Sequence, residues 1–286
     1  MSQISIIVPV YNAAKYLPRT IASIQAQTFV ISELVCVVCV PERPVACDEK
    51  PGKISDMFKA LFKNNQAMTV VVSIILVYTS LNICGNLVLY FFRFDVGNEG
   101  AYSIFAAVAF AAQVLVMMVI PLLRKRFSKS QLFISGFIIQ IAGFAVILIM
   151  AFAKLYTPQS WYILCLPGIL IYLGYGMLNV IMTIFLSDSV DYGEVMNGTR
   201  EESVIFSMQT FTVKLASGVA VFLAGLVVDW IHLDTAAAVQ TQDTLDALRM
   251  WMTIPSVILL IVGIFIFKRF YKLDDTRMEE IKSKLN

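Results

Sequence analysis

Five stretches of this chain contain no Asp, Glu, Lys, Arg or His: residues 67–92, 101–123, 130–153, 160–187 and 250–267. A helix needs about 20 predominantly apolar residues to cross a ~30 Å hydrocarbon core, and the five meet that need, the last near its lower limit. A sixth stretch, residues 203–228, is interrupted by a single charge, Lys214. Blocks of this length are far too long for strands. In lipid only helices and closed barrels satisfy their own backbone, so the pattern predicts an all-α integral membrane fold with six transmembrane helices. Composition agrees: 58% of residues are hydrophobic and 15% charged, with a mean hydropathy of +0.77, whereas soluble domains run about 45–50% apolar and about 25% charged.

Lys and Arg in the loops set the orientation. Arg43, Lys50, Lys53, Lys59 and Lys63 precede the first span, Arg124, Lys125, Arg126 and Lys129 lie between the second and third, and Lys268, Arg269, Lys272, Arg277, Lys282 and Lys284 follow the last. The other side holds Arg93, Lys154 and Arg249. The bias predicts a multi-pass protein of the cytoplasmic (cell) membrane with both flanks of the six-helix segment in the cytoplasm. The lipid bilayer is thus an obligatory partner. The net charge of +2 reflects this loop bias, and no basic patch interleaved with aromatics points to nucleic acid.

Lys214 is the residue most in need of a reason. A lone ammonium at bilayer depth costs about 2.5–3.5 kcal/mol on insertion scales. It stands about eleven residues, or ~16 Å of helix, from either edge of its stretch, too deep to snorkel. Such a residue faces a watery cavity or a partner, so Lys214 is a candidate substrate or ion ligand; the alternative is a residue that only ties helices together. Thr210 lies four positions earlier on the same helical face, with Gln209 beside it. Hydroxyl, amide and ammonium together supply the donors and acceptors that sugar hydroxyls, or a proton or sodium path, require. Interhelical hydrogen bonding is the alternative for Gln209 and Thr210. Asn82 and Asn86, again four apart, and Asn179 are further cavity-lining candidates, whereas Gln113 and Gln140 read as packing residues. Gly168, Gly174, Gly176 and Gly218 are expected to allow close helix approach, and Pro121 and Pro167 to be tolerated kinks.

Several chemistries are disfavoured. Cys36 and Cys39 have CxxC spacing, but no second pair or nearby His completes a zinc site. No GxxxxGK[ST] sequence supplies a phosphate-binding loop. The single histidine, His232, sits in a predicted outer loop, which disfavours a Ser-His-Asp triad. Asn197-Gly198-Thr199 matches a glycosylation sequon but falls on the cytoplasmic side. Neither a bound metal nor an organic cofactor is expected, and the chain does not read as an enzyme.

The first 29 residues are of another kind. Residues 4–11 (ISIIVPVY) form a short β-branched run, Asn12 offers a helix cap, and residues 13–27 read as a helix. This strand–helix appendage, MSQISIIVPVYNAAKYLPRTIASIQAQTF, resembles the opening of a family 2 glycosyltransferase. The carboxylates such an enzyme needs for nucleotide and metal are missing, since no DxD occurs and the one DD pair is Asp274-Asp275.

From about residue 30 onward the chain is similar to the glycoside–pentoside–hexuronide:cation symporters, the group that includes melibiose permease, within the major facilitator fold. The resemblance is carried by residues 55–65 (SDMFKALFKNN), by Asp188-Ser189-Val190-Asp191-Tyr192-Gly193-Glu194, by Arg200 with residues 203–207, and by Gln209-Thr210-Phe211-Thr212-Val213-Lys214. It implies four segments: the glycosyltransferase-like piece (1–29), a helix-six stump and central loop (30–66), a six-helix transporter half (67–270) and a cytoplasmic tail (271–286). It further implies that Gln209, Thr210 and Lys214 contribute to the sugar and cation region. Asn179 stands where an aromatic of the family packs on the sugar. Asp188 and Asp191 would act as a cytoplasmic gate, the equal alternative being solvated loop charge, with Arg124, Lys125 and Arg126 either local partners or residues that only enforce topology. The expected function is sugar:cation symport with Na+ or H+ as coupling ion, completed by a homodimer or a complementary six-helix half. The alternatives are an inert or partner-dependent transporter fragment and, more remotely, a membrane-associated glycosyltransferase.

Overall fold

The structure is a computed structural model that describes residues 64–198, 202–237, 239–273 and 275–285, all within the compact unit Lys53–Asn286. The predicted strand–helix appendage (1–29) and helix-six stump lie outside the described residues. Helix α1 (Asn65–Tyr90) continues into a π-helical turn (Phe91–Asp95). It is followed by α2 (Ala101–Leu123), α3 (Lys129–Phe152), α4 (Cys165–Asn197) entered through a 3-10 turn (Trp161–Leu164), α5 (Glu202–Trp230), α6 (Gln242–Phe270) and α7 (Asp275–Leu285). The six helices α1 to α6 are long and apolar enough to cross a membrane, which makes this a multi-pass membrane protein, and no strand occurs among the described residues.

Helices α1, α4, α5 and α6 overrun the stretches that predicted them, while α2 coincides with its own. α6 begins at Gln242, eight residues before the stretch that predicted it, and so takes Asp243, Asp246 and Arg249 into the helix. Its start is set by Thr241, whose side chain accepts from the Thr244 amide, satisfying one of the four amides a helix leaves unpaired. Asn64 caps α1 in the same way and Ser128 forms a capping box with Gln131 on α3. Pro167 falls in the first turn of α4, where an absent N–H removes no helical hydrogen bond, so it is not a kink. Pro121 and Pro255 lie beyond the first turn, in α2 and α6.

α1 occupies the centre, packed on α4, α5 and α6, while α4 packs on α2, α3 and α1. α2 and α5 are the least covered spans. At the core Phe133, Phe185 and Phe267, from α3, α4 and α6, have ring centroids 4.4–5.2 Å apart. Ser80 and Ser256 exchange hydroxyl-to-carbonyl bonds of 3.2 and 2.8 Å between α1 and α6, a polar link of the kind that holds helices together where lipid offers no hydrophobic drive.

Three of the four glycines singled out do permit close approach. A Cβ on Gly168 would lie 2.5 Å from the Phe105 ring, one on Gly176 2.6 Å from Val116, and one on Gly174 2.5 Å from the Gly136 carbonyl and 2.6 Å from the Gln140 amide. Gly218 is the exception: nothing lies within 4 Å of the added carbon, because it sits on an exposed face of α5. Gly174 meets backbone and the Gln140 Cβ, none of which can swing aside, so α3 and α4 must move apart to admit a methyl. Gly174→Ala is therefore expected to destabilise the fold by about 1–3 kcal/mol, in the range of overpacked cores, read as a lowered midpoint of denaturant unfolding in detergent. An unchanged midpoint would show that the α3–α4 seam yields freely.

Candidate functional site

Near mid-depth, α1, α4 and α5 are joined by a chain of polar side chains. The Gln209 amide of α5 donates to the Thr183 hydroxyl of α4 (3.4 Å), Thr183 donates to the Asn179 carbonyl one turn back (3.1 Å), and the Asn179 amide donates to the Tyr78 hydroxyl of α1 (2.6 Å). Tyr175 stands edge-on to Tyr78 at 5.4 Å and Tyr172 follows at 6.4 Å. Gln209, Asn179, Tyr78 and Tyr172 are half-buried. The cluster thus combines amides and hydroxyls with aromatic faces, the chemistry that accommodates a polyol with an apolar side. Tyr78 and Tyr175 escaped the sequence reading. Tyr78 begins a series, Tyr78, Asn82, Asn86 and Tyr90, that recurs every four residues along α1, and that spacing is the signal that could have found it.

The other predicted residues are placed as follows. Lys214 and Thr210 share one face of α5 and both are exposed. Thr210 donates weakly to the Phe206 carbonyl at 3.4 Å, and among the described residues Lys214 has no hydrogen-bond or ion-pair partner. The Asn82 and Asn86 amides each donate at 2.7 Å to the backbone carbonyl four residues earlier, at Tyr78 and Asn82. Gln140 is wholly buried in α3 and neither amide atom has a partner. His232 lies in the loop between α5 and α6.

The end of the bundle that carries the 124–129 loop and α7 is held by a charge network. Asp188 belongs to α4 and is buried, so it is not a solvated loop charge. Its partner is Lys129 at 2.5 Å, with both side chains under 8% exposed, rather than Arg124, Lys125 or Arg126. Lys129 opens α3, where the helix dipole repels a cation, and Asp188 offsets both that and the burial. Lys129 and Arg124 also reach Asp275 of α7 at 3.3 and 3.4 Å, while Leu273, Met278 and Ile281 pack beside Tyr192 and Val195. Asp191 is half-buried one turn from Asp188. Asn64 both caps α1 and donates to the Ser189 carbonyl at 2.8 Å, fixing α4 against α1.

Partial burial acts to raise the Asp275 carboxyl, but the Arg124 hydrogen bond and the charges of Lys129 and Arg124 prevail and hold it below its ordinary value. A depressed carboxylate contributes stability above its unfolded pKa and loses it as pH falls through the folded one. α7 is thus expected to stay docked at neutral pH and to loosen only below about pH 4, read as faster amide exchange along α7. Loosening already at pH 6 would assign the anchor to another group.

The opposite end holds a second network. The Arg249 guanidinium grips Asp95 with two bonds, 3.0 and 2.5 Å, both side chains being 3% exposed, and also meets Asp246 at 2.7 Å. Tyr156 donates to the same Asp95 carboxylate. Burial and that carboxylate push the Tyr156 phenol upward, so it remains protonated and a donor. The π-helical turn that ends α1 is what brings Asp95 to this point. The charge-free stretches set Asp95 and Arg249 aside as loop residues; the structure makes them the clamp between α1, α6 and the α3–α4 loop.

Comparison with known proteins follows this geometry. The sequence model of the family described as MFS/sugar transport protein matches residues 18–275. The chain is 25% identical over 254 residues to the uncharacterized symporter YjmB of Bacillus subtilis, covering 88% of this chain and 54% of that protein. It is 22% identical to the raffinose carrier protein of Pediococcus pentosaceus (90% and 41% covered) and 26% identical to the isoprimeverose transporter of Lactiplantibacillus pentosus (79% and 46%). The chain spans about half the length of these relatives.

Proposed function

Because the chain belongs to the MFS/sugar transport protein family, we propose that it serves sugar:cation symport across the cytoplasmic membrane. The observation that carries this reading is the polar chain Gln209–Thr183–Asn179–Tyr78, which crosses three helices at mid-depth and shares α5 with the exposed Lys214 and Thr210. Amides, hydroxyls and the Lys214 ammonium bind sugar hydroxyls. Tyr78 and Tyr175 supply the aromatic surface that Asn179 itself lacks. Na+ or H+ is the coupling cargo. Relatives are named for raffinose and isoprimeverose, so glycosides of this kind are the substrate class.

Major facilitator bundles bind substrate between two six-helix halves related by an axis along the membrane normal. α2 and α5 are the least covered spans here, and a complementary half or a second copy would cover them and close the site. Asp188, with Asp191 beside it, serves as the cytoplasmic gate through Lys129. The 1–29 piece acts as an appendage with no transferase activity; metal-dependent nucleotide-sugar binding by the chain would overturn that.

Uptake of labelled raffinose and isoprimeverose tests the function. It is expected to require an inward Na+ or H+ gradient, in cells producing this chain alone or together with the first six-helix segment of a relative. No uptake in either setting would favour the inert fragment, and uptake only in the second would show partner dependence. The loop charges orient the protein with both flanks of α1–α6 inside. An impermeant thiol reagent should reach Thr157→Cys but not Ser128→Cys, and the reverse would invert the topology.

A further inference from the structure

A cleft with polar groups on a mostly apolar lining lies away from the mid-depth cluster, toward the end that the loop charges place outside the cell. It is a cavity of about 350 Å³ between α1 and α5, lined among others by Asn86 and Tyr90 of α1 and by Gly225, Val228 and Asp229 of α5. Three observations say what it can hold. Asp229 is exposed and, among the described residues, its carboxylate has no ion-pair partner. Asn86, which lines the cleft, donates its N–H to the Asn82 carbonyl, which leaves its amide oxygen to accept from a ligand. Gly225 has nothing within 4 Å of an added Cβ, so the cleft is open beside it.

A carboxylate accepts two hydrogen bonds at once from adjacent hydroxyls, and such charge-assisted bonds are the strong ones. An amide oxygen accepts a third, the Tyr90 phenol can give or take one, and Val228 with the Tyr90 ring offers an apolar face. The volume falls at the small end of ligand pockets, about 300–1,000 Å³. A metal cation is the poorer fit, because hard cations want six or more oxygens and no group of three His, Cys, Asp or Glu among the described residues could hold one.

We propose that this cleft is an outer sugar-recognition site, which takes the vicinal diol of a pentose or hexose on the Asp229 carboxylate and Asn86 before the sugar moves to the mid-depth cluster. The proposal rests on the sugar-transport reading above. The fourfold spacing of Tyr78, Asn82, Asn86 and Tyr90 along α1 sets a row of polar groups between the two sites.

The test uses the full chain in lipid nanodiscs, with raffinose and isoprimeverose as probes. Trp230 adjoins Asp229, is 71% exposed, and lies 5.3 Å from Trp251, so sugar in the cleft should change tryptophan fluorescence. Calorimetry measures total binding in parallel. Asp229→Asn keeps the shape and removes the charge; Gly225→Leu fills the cleft on an exposed helix face. Each is expected to weaken the fluorescence titration at least tenfold while leaving helical content unchanged. Calorimetric binding with a fluorescence titration that neither variant shifts would overturn the outer site and leave the transport reading standing. No binding of either sugar to the wild-type chain, alone or reconstituted with the first six-helix segment of a relative, would overturn both.

Discussion

Arg249→Met is expected to destabilise the folded chain by about 3–5 kcal/mol, the cost of breaking a buried ion pair. The substitution leaves the Asp95 carboxylate 3% exposed with only the Tyr156 hydroxyl to stabilise it. Water cannot reach a charge at that depth, and removing one member of a buried pair exposes the full desolvation cost of the other. Asp246 contributes little to the loss, since its side chain is 38% exposed and regains water. Asp95→Leu added to Arg249→Met should recover most of the stability, because replacing both partners with apolar groups removes the stranded charge; the remaining deficit is the Tyr156 hydroxyl without its acceptor, about 1–3 kcal/mol. Reversible unfolding in mixed detergent reads all three proteins. A single variant within about 1 kcal/mol of wild type would show that the clamp contributes almost nothing net, the behaviour of an exposed ion pair.

Lys214→Leu is expected to reduce cation-driven glycoside uptake by roughly 10–100-fold, the equivalent of one or two hydrogen bonds to a charged donor. The same change should leave the fold intact, because the ammonium is exposed and bonds to nothing among the described residues. Membrane insertion of α5 should improve, by up to about 2.5–3.5 kcal/mol, as a charge is removed from mid-depth. These two effects have opposite signs, so lost uptake cannot be mistaken for lost structure. The measurement is uptake in cells that also produce a matching six-helix segment, normalised to the amount of membrane-inserted protein. Uptake at the wild-type rate would remove Lys214 from the substrate path and leave the Tyr78–Asn179–Gln209 chain as the site.

The six spans were legible in the residues alone. Bilayer thickness is a one-dimensional constraint: a stretch either carries enough consecutive apolar residues to cross or it does not, and each charge-free stretch lies inside one of the spans to within a residue at its ends. The polar residues of α5 were legible for a related reason, since a charge in an apolar block stands out without any neighbour being known. Helix ends were less legible. α6 extends to Gln242 through two acids and an arginine, and hydropathy counts those charges as loop because it has no knowledge of their partners.

Tertiary structure alone decided which groups meet. Asp95 and Arg249 are 154 residues apart, Asn179 and Tyr78 are 101 apart, and Lys129 and Asp188 are 59 apart. Local periodicity says which face of a helix a residue occupies, but not which helix that face will touch. That depends on the seams where glycine lets backbones close in, as at Gly174 against Gly136 and Gln140, and on the π-helical turn that swings Asp95 toward α6. A buried charge is tolerated only where packing delivers its counter-charge, so the same Arg249 that reads as a loop cation in the sequence becomes, once α1 and α6 are side by side, the centre of the clamp.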